Sequence, residues 1–82
     1  MIYDMPSYKE AMQFAVDKEY PKALGKLNES VQEIEKTIGN HTKYHLLLYQ
    51  RIASICEVMR DDKGVEEIFL KSVETASKLY PK

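Results

Sequence analysis

The 82-residue sequence contains no tryptophan, one cysteine, three glycines and three prolines. A lone thiol cannot form an internal disulfide, so a reducing compartment is expected. Neither sign of charge dominates. Twelve Lys and Arg face 13 Asp and Glu, which argues against nucleic acid or an anionic membrane as a partner. The longest purely apolar run is Leu46-Leu47-Leu48-Tyr49, far short of the ~20 residues that span a bilayer. The stretch Met1-Ile2-Tyr3-Asp4-Met5-Pro6 has no basic segment followed by a hydrophobic run. No signal peptide is expected, and a cytoplasmic location is. A chain of this length hides only ~60% of its unfolded surface on folding, which leaves little room for a deep catalytic pocket.

What is present is helical periodicity. Ser7-Tyr8-Lys9-Glu10 has capping-box spacing, and predicts a first helix from about Tyr8 to Lys18 with Ser7 at its entrance. Pro21 suits the first turn of a second helix. There Ala23, Leu27, Val31, Ile34 and Ile38 form one apolar stripe, which Gly39-Asn40 ends. A third helix from about Lys43 carries Tyr44, Leu48, Ile52, Ile55 and Met59 at the same period. Asp61 or Asp62 caps a fourth, which carries Val65, Ile68, Phe69, Val73, Ala76, Leu79 and Tyr80. Nothing alternates with period two for long enough to make a strand. The expected class is all-α, with four helices.

The two halves also match each other at an offset of 42 residues: Ala11 with Ala53, Phe14 with Cys56, Ala23 with Val65, Leu27 with Phe69, Ser30 with Ser72, Val31 with Val73. Repeated helix pairs of this kind cover their apolar faces by stacking. In the second half, Tyr49, Ile52, Ala53, Cys56, Asp61, Val65, Phe69 and Ser72 follow a recurrent pattern. It runs large, large, small, aromatic, then a turn, then small, aromatic, small. Ala11, Phe14, Tyr20, Ala23, Leu27 and Ser30 follow part of it in the first half. The sequence thus resembles the tetratricopeptide repeat (TPR) family. Its long period and the stretch Glu35-Lys36-Thr37-Ile38-Gly39-Asn40-His41 are similar to the repeats of kinesin light chains. Cys56, Val65 and Arg60 depart from the usual aromatic, alanine and glycine. The resemblance implies two antiparallel helix hairpins stacked as a short TPR-like solenoid. One domain would span residues 1–82, with repeat one at about 7–40 and repeat two at about 41–80.

Residues able to carry chemistry have structural readings. His41 and His45 are four apart, but no third metal ligand stands nearby, so both are expected partly exposed near a helix start with no metal bound. Cys56 falls at a core position. Asp61 and Asp62 are turn residues, and Glu66 and Glu67 suit the dipole of the fourth helix. The lysines interleave with acids and read as solvated surface. No catalytic residue and no cofactor is expected.

The resemblance implies a non-catalytic protein–protein interaction module, a scaffold or adaptor. It would bind a peptide or partner in a groove lined by Tyr8, Met12, Ala15 and Val16 of the first helix and by Leu47, Gln50, Arg51, Ser54 and Glu57 of the third. Two repeats are fewer than the ~3 that usually stand alone. The outer face of the last helix, with Phe69, Val73, Ala76 and Tyr80, is therefore expected to need cover from a second copy, another subunit or a further part of the same protein. The alternatives are a small structural subunit of a larger assembly, or a helical segment of a larger enzyme.

Overall fold

The computed structural model describes residues 2–81. They form a short 3-10 turn, Ile2–Asp4, and four α-helices: α1 (Pro6–Val16), α2 (Tyr20–Thr37), α3 (Lys43–Val58) and α4 (Asp62–Leu79). Among the described residues there is no strand, and no helix is long and apolar enough to cross a membrane.

The helix boundaries follow local chemistry, with one correction. Ser7 does not cap α1. The helix starts earlier, at Pro6, after Met5, which makes no side-chain cap. Proline's fixed φ suits the first turn and its missing N–H costs nothing there. Ser7 is thereby drawn inside the helix and buried, where its Oγ lies 2.7 Å from Ser30 Oγ on α2. Ser30 donates to the Lys26 carbonyl, so the Ser7 hydroxyl is the donor in the pair. Pro21 sits in the first turn of α2, and Gly39 takes φ +134° just beyond its end. Asp61 caps α4 by accepting from Gly64 N–H at 3.0 Å. A Cβ on Gly64 would lie 2.5 Å from Asp61 Oδ2 and 3.1 Å from Cys56 Sγ, so a larger residue here would have to displace the capping carboxylate.

The 42-residue offset recurs in the backbone. Lys18 and Arg60 both adopt the left-handed conformation, at φ 62° and 60°. Each ends its helix with the same pair of bonds. Lys18 N–H reaches the Ala15 carbonyl and Glu19 N–H that of Phe14; Arg60 N–H reaches Glu57 and Asp61 N–H reaches Cys56. This αL termination is normally the place of glycine, because a Cβ crowds the following carbonyl. Both side chains are exposed, so nothing else holds them. Arg60→Gly and Lys18→Gly are each expected to stabilise the fold by ~0.5–1 kcal/mol, the αL relief less glycine's unfolded-state entropy. Urea midpoints rising at constant m would report it.

The helices pack in sequence: α1 on α2, α2 on α3 and α3 on α4. Ala11 and Ala23 are fully buried, and their small side chains allow helices to approach closely. Leu27, Ile34 and Leu48 are also inaccessible, with Ile52, Ile55, Cys56 and Ile68 nearly so. Lys26 lies 3.2 Å from Glu29 and 3.6 Å from Glu10, bridging α2 to α1 at the surface. Its bond to Glu29, with the field of Glu10 added, raises the ammonium above its ordinary range.

Candidate binding surfaces

The structure divides the groove residues into two groups. Tyr8 is buried rather than open, because Tyr3 of the N-terminal turn stands edge-on to it with ring centres 5.5 Å apart. Tyr3, Tyr8, Lys9, Met12, Gln13 and Val16 line a shallow hollow of about 280 Å³ on the outer side of α1. None of the α3 residues lines it. Leu47 and Ala15 are half-buried against the core, whereas Gln50, Arg51, Ser54 and Glu57 are exposed along α3. Ser54 turns its hydroxyl back to the Gln50 carbonyl. Tyr3 was missed in the sequence because it precedes the first periodic stretch.

The outer face of α4 is open. Phe69 is 64% exposed, Leu70 60%, Val73 49% and Tyr80 68%, while Ala76 is half-buried. Leu70 extends the sequence-derived stripe to one side.

A third surface, polar, has no counterpart in the sequence reading. A cleft of about 490 Å³ runs between α2 and α4. It is lined by Asn28, Gln32 and Glu35 on one side and Lys71 and Glu74 on the other, with Val31, His41, Tyr49 and Ile68 also contributing. At one end His41, held at φ 55°, places Nδ1 3.2 Å from Oγ1 of the buried Thr75. Tyr49 lies in the same network. Burial pushes its phenol above the ordinary 10.0, and a hydrogen bond with Thr75 opposes that.

His45 corrects the expectation of two partly exposed histidines, since it is 1% exposed. Its Nδ1 accepts the Thr42 backbone N–H at 3.1 Å and lies 2.9 Å from Thr42 Oγ1. It thus serves as the distal half of a capping box, in the place glutamate usually holds. An accepting Nδ1 puts the neutral ring's proton on Nε2. That atom is buried without a hydrogen bond, 3.5 Å from Glu35 Oε2. His41 and His45 therefore belong to different networks. Among the described residues no three His, Cys, Asp or Glu side chains are grouped as metal ligands.

Cys56 is buried. Burial first, then the nearby carboxylates of Asp61 and Glu67, push its thiol above the ordinary 9.0. The folded state thus holds this proton more tightly than the unfolded chain. Its contribution to stability is complete below the unfolded value and lost as pH rises through the folded one. Tyr49 carries the same sign from 10.0 upward. Stability measured by urea unfolding is expected to fall from pH 9.0 upward. Cys56→Ala should flatten the first part of that fall while lowering stability at neutral pH through lost packing.

No family model matches the chain, and no curated protein or solved structure matches it either.

Proposed function

We propose that the chain is a non-catalytic protein–protein interaction module, its helix pairs stacked as a short TPR-like solenoid that holds a peptide or partner against α1 and α3. One observation carries the reading: helix terminations repeat at a 42-residue offset, yet apolar surface is closed over on α2 and left open on α4. A repeated unit with an unfinished face suits association better than chemistry. The reactive side chains support the same view. Cys56 is packed away, His45 caps a helix, and His41 is bonded to Thr75.

The groove is tested by selecting displayed peptides on the immobilised full chain. Enriched peptides are expected to lose affinity about tenfold or more when Arg51→Glu or Met12→Glu is introduced. They should be indifferent to Lys36→Glu, on exposed α2 surface. Recovery of no binder, or of binders indifferent to all three changes, would overturn the groove. The open α4 face also favours a second reading, a small structural subunit whose surfaces are permanently covered. Insolubility of the chain made alone, relieved by a partner subunit, would support it.

A further inference from the structure

The polar cleft has its origin in the packing order. α2 and α4 each pack on α3 but hardly touch each other, which leaves about 490 Å³ open between them, with Tyr49 of α3 in its lining. Helical periodicity decides what faces it. On α2, Asn28, Val31, Gln32 and Glu35 recur at i, i+3, i+4 and i+7, and on α4, Ile68, Lys71 and Glu74 recur at steps of three. Each helix therefore brings one aliphatic side chain and one carboxylate to the same space.

The two carboxylates converge on one hydroxyl. Burial raises the Tyr49 phenol above its ordinary range, and the fields of Glu35 and Glu74 raise it as well. Like charges gathered from two helices repel unless a cation answers them. Among the described residues Glu74 forms no ion pair, and Glu35 meets only His45 Nε2, at 3.5 Å. His45 is 1% exposed and that nitrogen has no hydrogen bond. A buried donor is thus turned on a carboxylate of the cleft without completing a bond, and the neutral ring brings no charge. Lys71 is the only cation in the lining. It also borders the adjoining hollow of Leu24 and Gly64 and pairs with neither acid.

This setting selects a class of ligand. An anion would meet two carboxylates. A bare metal ion would find no group of three ligands among the described residues. An organic cation fits better, because Val31 and Ile68 offer apolar surface to an alkyl stem. A guanidinium suits the spread of acceptors, with five donors in a rigid plane and weak hydration to give up. We propose that the α2–α4 cleft binds a guanidinium group between Glu35 and Glu74, with the amide oxygens of Asn28 and Gln32 accepting its remaining donors. The group comes from a free guanidino compound or from an arginine side chain of another chain. The site lies apart from the groove of α1 and α3, so either assignment can fail alone.

The test is titration of the isotopically labelled full chain with acetyl-arginine amide at constant ionic strength, followed by amide NMR shifts. Saturable shifts are expected at Asn28, Gln32, His41 and Thr75. Affinity should fall about tenfold in Glu74→Gln and in Glu35→Gln, and stay unchanged in Glu33→Gln, an exposed α2 carboxylate outside the cleft. All three positions are exposed, and dispersed amide spectra would verify that the variants fold. Acetyl-citrulline amide, the neutral isostere, should not bind. Methylguanidine and the capped tripeptide Gly-Arg-Gly separate the sources: a tighter tripeptide assigns an arginine within a chain, and methylguanidine binding as well or better assigns a free compound. Absence of saturable shifts would overturn the site. Equal binding of the citrulline probe would do so too, as would equal losses in all three variants, which would reveal only diffuse attraction to an acidic surface.

Discussion

Leu27→Ala is expected to destabilise the chain by about 3 kcal/mol, and Phe69→Ala, 42 residues on, by no more than about 0.5 kcal/mol. The contrast follows from neighbours alone. Leu27 is wholly inaccessible between packed helices. Truncation there removes apolar area from the core and leaves a cavity that the surrounding helices can only partly close. Phe69 is 64% exposed, so most of its ring meets water in both folded and unfolded states. For an 82-residue chain total stability is of order 4–12 kcal/mol at the usual 0.05–0.15 per residue. The Leu27 variant would therefore lose a large fraction of it. Urea midpoints at unchanged m would measure both. Should Phe69→Ala cost as much as Leu27→Ala, and the cost grow with protein concentration, α4 is covered by another copy in solution and its stability is partly that of an assembly.

The same pair explains how far the fold could be read from the residues. Periodicity puts Leu27 and Phe69 on matching apolar stripes 42 residues apart, and the helix boundaries at Pro21, Gly39 and Asp61 lie where a fixed φ, a positive φ and a capping carboxylate require them. Periodicity cannot say which of two equivalent stripes has a neighbour, because cover is a property of chain order. Short-range patterns misled where long-range contacts competed. The spacing of Ser7 and Glu10 is that of a capping box, but Ser7 bonds with Ser30, 23 residues away. His45 was unreadable for a different reason: its imidazole substitutes for a capping carboxylate only in the tautomer that leaves Nδ1 free to accept. The family resemblance puts Tyr8 in the groove, but Tyr3 stands edge-on to it and the residue is buried. Thr75 gave no signal at all, since a threonine in an apolar helix face becomes a network member only when His41 and Tyr49 arrive from another part of the chain.

Ala11→Leu is expected to be as severe as any truncation, although it adds apolar surface. Ala11 is fully buried on α1, one turn beyond Ser7, whose hydroxyl meets Ser30 of α2 at 2.7 Å. The preceding residue, Glu10, reaches Lys26 of α2 at 3.6 Å. Two side-chain contacts of that length, one from a residue as short as serine, hold the α1 and α2 backbones close together here. Three additional carbon atoms at Ala11 have no space unless the helices separate. Separation would break the Ser7–Ser30 bond and leave the buried Ser7 hydroxyl without that partner. Overpacking of this kind costs about 3 kcal/mol at the upper end of its usual range. With 4–8 °C lost per kcal/mol in a domain of this size, the melting temperature should fall by roughly 12–24 °C. Ala53→Leu is the internal control. It lies 42 residues on but is only half-buried, so its added carbons can turn outward and the loss should stay below about 1 kcal/mol. If Ala11→Leu melted within a degree or two of the parent, α1 and α2 would have to lie farther apart than the serine pair allows. The argument that small residues set the spacing of the first helix pair would then fail, and the burial of Ala23 on α2 would need another cause.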